Sequence, residues 1–248
     1  MGVTQTNGGA MTGDEKSWLD QVYDGYDRWK AWSPAAMSAQ EQRLVEVELG
    51  RTGVKPPARV LEIGFGTGTL LRYLQARGFD CWGIERRGVH DAALVAEGIT
   101  VVSGNVADLP PAHFDLVCAM DVLEHLEKPD ILAMLAAIRT VLKPGGRLLA
   151  RFPNGASPFG LMNQSADLTH LTTLSIASFA QAASIAGLEV VGGWNSAVSW
   201  RGEGTLRSIV KPLTLAGRRL VEYMIGAFFY GERRPLDANV TVCAQRPG

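Results

Sequence analysis

Apolar residues along this chain recur with two different periods. Seven short runs, over residues 59–63, 80–84, 100–104, 114–120, 146–152, 188–193 and 239–244, have the length and bounding residues of strands. Between the early runs, and again after the fifth, apolar side chains return every three or four residues, which predicts helices over 69–77, 89–97, 130–142 and 175–186. Strand and helix therefore alternate, and the fold class is α/β, with helices covering a mainly parallel sheet. Two stretches depart from the alternation. Ahead of the first strand, Trp18, Val22, Tyr26 and Trp29 fall near helical spacing within 17–30, and a second helix over 39–51 ends near Gly53 and the Pro56-Pro57 pair. Ahead of the last strand, residues 194–237 form an excursion whose core, 215–230, reads as an amphipathic helix. The sequence leaves open whether that helix caps the domain or makes a homodimer contact. The domain reading is a flexible leader over 1–13, a helical cap over 14–55 and a main domain over 56–248 that includes the insertion.

Composition narrows the function classes. A chain of 248 residues with 46% hydrophobic content can bury a substantial core and is not disordered throughout. With 24 basic and 25 acidic residues it offers no electrostatic reason to expect nucleic acid as a partner, and a small-molecule acceptor fits better. Cys81, Cys118 and Cys243 each lie in an apolar run and read as buried thiols rather than metal ligands or disulfides. No secretory signal or integral membrane segment is expected; the apolar stretch 224–230 is too short to span a bilayer. The start Met1-Gly2 fits the loose myristoylation pattern at only two constrained positions, and a cytoplasmic location is expected.

Candidate chemistry begins directly after the first strand. In Glu62-Ile-Gly-Phe-Gly-Thr-Gly68 the three glycines let the backbone turn tightly and approach a ligand without Cβ obstruction. A dinucleotide fingerprint would carry its last glycine where Thr69 stands, which weighs against a nicotinamide cofactor. Glu85 closes the second strand, where its carboxylate can accept hydrogen bonds from both hydroxyls of a ribose. Asn105 follows the third strand; its side chain offers an acceptor for an adenine amino group and a donor for a ring nitrogen, while Asp108 is read instead as a cap of the local turn.

Together, Glu62-Ile-Gly-Phe-Gly-Thr-Gly68, Glu85, Gly104-Asn105, Phe114-Asp-Leu-Val117, Asp121-Val-Leu-Glu-His125 and Leu142-Lys-Pro-Gly-Gly146 resemble the ordered motifs of class I S-adenosylmethionine (SAM)-dependent methyltransferases. The resemblance implies a Rossmann-like seven-stranded sheet of order 3-2-1-4-5-7-6, with strand seven antiparallel. It assigns Glu62 and the backbone of Gly64, Phe65, Gly66 and Gly68 to the methionine portion, Glu85 to the ribose hydroxyls, and Asn105 with Val106 to adenine; Arg86, beside Glu85, is a further cofactor-binding candidate. Ala119 and Asp121 would face the amino-acid end. Many relatives carry aspartate where Asn105 stands.

Methyl transfer from a sulfonium needs an aligned nucleophile, and a base chiefly when the acceptor is a hydroxyl. His170, in a polar loop after the fifth strand, is the leading base candidate, since imidazole titrates near neutral pH. His125 is the second. Asp121, Glu124 and His125 resemble the acidic/histidine set of ubiquinone-biosynthesis O-methyltransferases, where a metal is implied, but the string recurs in metal-independent relatives and no metal is assigned. Arg151 either binds an acidic acceptor, with Arg201 or Arg207, or pairs with Asp167. Tyr26, Trp29, Asn154, Asp167, Trp200 and Arg201 are the substrate-binding candidates. The strings Phe152-Pro-Asn154 and Asp167-Leu-Thr-His170 resemble the methyltransferase branch of polysaccharide and small-metabolite pathways, which implies oxygen methylation of a sugar-like or other hydroxylated acceptor. N- or C-methylation and a non-catalytic SAM-binding scaffold are the alternatives.

Overall fold

A computed structural model describes residues 36–86, 91–198 and 205–248, with Trp18, Val22 and Gly25 as isolated helical positions; for residues 91 and 205–209 the backbone alone is described. Tyr26, Trp29, Trp200 and Arg201 lie outside the described residues. Met1–Trp32 and Ser33–Gly248 are separate compact units. The helix over 39–51 thus belongs with the sheet rather than with the residues before it.

Seven strands form one sheet in the order β3-β2-β1-β4-β5-β7-β6: β1 (Arg59–Ile63), β2 (Asp80–Ile84), β3 (Thr100–Val102), β4 (Phe114–Met120), β5 (Leu142–Pro153), β6 (Glu189–Asn195) and β7 (Asn239–Gln245). The pairs β1–β2, β1–β4, β2–β3 and β4–β5 are parallel, and β7 runs antiparallel to both β5 and β6. Alternation along the strands divides the core in two. Leu61, Val117, Ala119, Leu148 and Ala150 join one cluster with Ile131, Leu135 and Ile138 of α4 (Lys128–Val141) and Phe179 of α6 (Ile176–Ile185). Val60, Leu116, Cys118 and Leu149 point to the other face, against Leu71 and Leu74 of α2 (Thr69–Gln75) and Leu94 of α3 (Asp91–Ala96). Both faces are covered, which is why these strands read as nearly continuous apolar runs.

On the second face, α1 (Ala39–Thr52) starts at a Ser38/Glu41 capping box and ends at Gly53 in the left-handed conformation. It brings a buried carboxylate, Glu48, onto the sheet. Glu48 Oε1 accepts hydrogen bonds from Thr241 Oγ1 at 3.1 Å and from the Ala197 amide at 2.5 Å, and Arg51 pairs with Oε2 at 2.6 Å.

Two elements were hidden in the residue pattern. The fifth strand begins four residues before 146, continuing straight from α4, and its pairing with β4 shifts register between Phe114 and Leu116. A short helix, α5 (Gly160–Ser165), stands where an irregular loop is expected; a Cβ at Gly160 would come within 2.0 Å of the Asn154 carbonyl oxygen, so the turn closes only around glycine. In the insertion, α7 (Thr205–Ile225) starts ten residues before 215 and runs into a π-turn over Gly226–Tyr230. All three cysteines are buried free thiols.

Candidate functional site

The carboxyl ends of β1, β2, β4 and β5 meet at one rim. After β1 the chain turns through Gly64, Gly66 and Gly68 at φ values of 69°, 55° and 74°, a region that L side chains rarely adopt. The Gly64 amide donates to the Ile84 carbonyl at 2.8 Å, and the Gly68 amide to the Phe65 carbonyl at 2.8 Å, fixing the turn against β2. A Cβ at Gly64 would lie 2.9 Å from Val122 Cγ2, and one at Gly68 would lie 2.5 Å from Leu94. The turn is thus pressed against its neighbours on both sides. The Phe65 side chain is buried in the core beside Gly83, so its contribution to a ligand is restricted to backbone.

Two carboxylates flank the turn. Glu62 is buried, with Oε2 lacking a hydrogen-bond partner among the described residues; burial, reinforced by the negative charge of Glu85, holds its pKa well above the usual carboxylate range against the Leu71 amide hydrogen bond. Glu85 Oε2 accepts from the Gly66 amide at 2.9 Å, which ties the end of β2 to the turn. Arg86, next to it, is exposed. Beyond β3, Asn105 is exposed and Val106 buried, and the Asn105 amide donates to Asp108 Oδ2 at 3.2 Å. Asp108 therefore caps this turn.

Across the rim, β4 ends with buried Ala119 and with Asp121 at φ 57°, the left-handed region in a non-glycine residue. The conformation is held from two sides. The Asp121 amide donates to the Arg151 carbonyl at 2.9 Å, and the Arg151 guanidinium grips the Asp121 carboxylate with both Nε, at 2.9 Å, and Nη2. Arg151 thus pairs with Asp121 rather than with Asp167. Asp121 directly follows β4 and Arg151 lies on β5, where the parallel register brings Met120 opposite Arg151.

Above this pair lies a histidine network. Asp167 Oδ1 accepts from the Thr169 hydroxyl at 2.6 Å and from the Thr169 amide at 3.0 Å. Because that hydroxyl proton goes to the carboxylate, His125 Nδ1, 2.8 Å from Thr169 Oγ1 and 3.2 Å from the Thr169 carbonyl oxygen, is the donor to both. His170 Nδ1 likewise donates to the Gln164 carbonyl at 3.2 Å, and its Nε2 stands 3.9 Å from Asp167 Oδ2. The two imidazoles pack edge to face with centroids 4.7 Å apart. Beside them Glu124 is buried with both carboxylate oxygens lacking hydrogen-bond partners among the described residues, and burial, aided by the charge of Asp121, pushes its pKa up to about 8. Ligating atoms of Glu124, His125 and His170 lie within 4.8 Å of one another, so a cation could be held by these three and not by the set built on Asp121, whose carboxylate Arg151 occupies.

Two substrate-binding candidates prove to be framework. Asn154 is buried; its Nδ2 donates to the carbonyls of Pro235 and Asp237 at 3.0 and 3.2 Å, and its Oδ1 accepts from Ala156. Asp167 is buried and committed to Thr169. Both hold loops in place. The network partners Thr169 and Gln164 escaped the residue reading. Thr169 had a signal, since an Asp followed two residues later by Thr is an Asx-turn pattern; Gln164 is fixed only by α5. Farther along, a groove of about 1080 Å³ runs between α1, β6 and α7, with Arg51, Trp194, Arg218 and Arg219 among its lining residues.

Residues 37–192 match a protein family described as a methyltransferase domain. The ubiquinone biosynthesis O-methyltransferase of Paraburkholderia phymatum is 31% identical over 152 residues, 55% of this chain and 62% of that protein. The chain therefore spans less than two thirds of that relative's length. Among solved structures, a SAM-dependent methyltransferase from Archaeoglobus fulgidus superposes with a TM-score of 0.56 at 19% identity, over 90% of this chain and 99% of that one. The 1,6-didemethyltoxoflavin-N1-methyltransferase of Burkholderia thailandensis, solved with 1,6-didemethyltoxoflavin and S-adenosylhomocysteine, gives 0.58 at 16% identity, over 93% and 86%. At these identities the structural likeness speaks for the fold.

Proposed function

Because the chain belongs to the methyltransferase-domain family, we propose that it methylates a hydroxyl group of a small, sugar-like or otherwise hydroxylated acceptor. It is a SAM-dependent methyltransferase. The rim fits that cofactor: the buried Glu62 Oε2 has no hydrogen-bond partner among the described residues, and the turn at Gly64, Gly66 and Gly68 takes left-handed conformations that suit glycine and leave its backbone uncovered by side chains of its own. In this reading Glu62 and the backbone of Gly64 to Gly68 hold the methionine portion, Glu85 with Arg86 the ribose, Asn105 with Val106 the adenine, and Ala119 with Asp121 the amino-acid end. Bound there, SAM supplies an electrophilic methyl group.

The observation that carries oxygen methylation is the orientation of His170. Its Nδ1 is spent on the Gln164 carbonyl, so in the neutral ring Nε2 keeps the lone pair and can take the acceptor's hydroxyl proton. The imidazolium so formed is stabilised by Asp167 Oδ2 at 3.9 Å, and Thr169 holds that carboxylate in position. The Arg151–Asp121 pair keeps the end of β4 in its left-handed turn. Arg151 is a positioning residue in this scheme.

A second reading is favoured by the unpartnered carboxylate of Glu124. Glu124, His125 and His170 would hold a divalent cation, whose charge lowers the pKa of a bound hydroxyl. Incubating the protein with methyl-labelled SAM and fractionated metabolite pools, with and without a chelator, tests both. A labelled ether product that survives chelation supports the imidazole route, and loss of product on chelation supports the cation. Label on nitrogen or carbon would sink oxygen methylation.

A further inference from the structure

We propose that the outward face of α7, with the aromatic turn that follows it, docks on an anionic lipid bilayer surface. Surface helices of globular proteins turn their apolar side inward. Here Val210, Leu213, Leu220, Met224 and Phe228, spaced by three, seven, four and four residues, form a stripe that is exposed along its length. Leu213 is 69% exposed and Leu220 59%, and Phe228 and Phe229 in the π-turn are each 78% exposed. At ~1.5 Å per residue the stripe extends roughly 27 Å.

The helix cannot roll to hide it. On its inner side Glu222 is buried, where Oε1 accepts from Asn195 Nδ2 at 2.7 Å and from the Leu236 amide at 3.0 Å. Rotation about the helix axis would strip these bonds from a buried carboxylate.

Charge selects the occupant. Residues 210–237 carry five basic side chains, Lys211, Arg218, Arg219, Arg233 and Arg234, against three acidic ones, a net +2 in a chain whose total is −1. Arg218, Arg233 and Arg234 pair with Asp237, Glu222 and Glu232, so among the described residues Lys211 and Arg219 carry the excess positive charge. A second copy would bring the same two excess positive charges and the same net +2 over this segment. Anionic headgroups complement them, and the tyrosines and phenylalanines at 223 and 228–230 match the residues that settle at a bilayer interface. Among the described residues no helix is long and apolar enough to cross a membrane, which fits a helix lying flat.

The test is co-sedimentation of the full chain with vesicles of phosphatidylcholine alone or with phosphatidylglycerol added. Partition onto the anionic vesicles, weakened by salt, is expected. It should fall about tenfold or more in the Leu220→Asp/Phe228→Asp variant. Arg219→Glu/Arg234→Glu should lose the preference for phosphatidylglycerol. All four positions are exposed or at the surface, and unchanged SAM affinity will show that each variant is folded. Equal sedimentation of wild type and both variants, or absence of binding to either vesicle, would overturn the proposal. So would a solution mass that shows a dimer dissolved by the Leu220→Asp/Phe228→Asp change.

Discussion

At the end of β1 the rim is made of backbone, whereas at the ends of β4 and β5 it is made of side chains. The first region packs its determinants into seven consecutive residues, Glu62 to Gly68, plus Glu85 at the end of the adjacent strand. The second draws on Asp121, Glu124, His125, Arg151, Thr169 and His170, joined across sequence separations of 30 and 44 residues. A backbone cradle suits a ligand that is the same in every turnover. A side-chain network on a loop suits one that differs between enzymes on one scaffold.

This contrast can be broken at its catalytic end first. His170→Ala is expected to slow methyl transfer by about 10²- to 10⁴-fold while leaving SAM affinity near that of wild type, with partial rescue by added imidazole. Turnover and calorimetric SAM binding measure the two effects separately; parallel losses in both, without rescue, would make His170 part of the framework.

At the cofactor end, Gly64→Ala places a Cβ at φ 69°, 2.9 Å from Val122 Cγ2, and should weaken SAM binding by roughly tenfold. Adding Val122→Ala relieves the collision but not the backbone strain, so recovery should be incomplete. Normal affinity in the single variant would mean that the turn is not the cofactor floor.

The smallest effect sharpens the contrast through stability. The folded-state pKa of Glu124, about 8, stands above its ordinary value of 4.5. Below pH 4.5 the carboxyl is protonated folded or unfolded and costs nothing. As pH rises from 4.5 to about 8 the unfolded chain releases the proton while the folded one retains it, so stability falls through that window. In chelator-treated protein, Glu124→Gln should flatten this decline and melt about 2–4 °C or more above wild type at pH 8 and higher, with little difference near pH 4.5. Thermal melts across pH decide it. A cation bound to wild type should reverse the order when metal is restored.

Much of the sheet was legible in the residue pattern. The predicted bounds of β1, β2 and β4 coincide with the observed strands, because these strands are buried on both faces and flanked by glycine or charged residues. The glycine turn was equally legible, since its conformations depend on the residues that adopt them. The fifth strand was not: its first four residues include Lys143-Pro-Gly145, which locally favour a bend, and the observed strand runs through them between the Phe114–Leu142 and Leu116–Arg147 pairs, across the register shift. Arg151 shows the same limit at the site. Asp121 and Asp167 are both chemically suitable partners, and nothing local distinguishes them; the parallel register of β4 and β5 does.

The sequence by itself determined the alternating architecture, the glycine cradle and its flanking carboxylates, because each rests on local conformation or on the period of apolar positions. Only the tertiary structure decided that Arg151 grips Asp121, that Thr169 orients His125, and that α7 turns its apolar stripe outward. Helical periodicity shows that a helix has an apolar side. Which way that side faces depends on the long-range bonds that fix its rotation, here those made by Glu222 to Asn195 and Leu236.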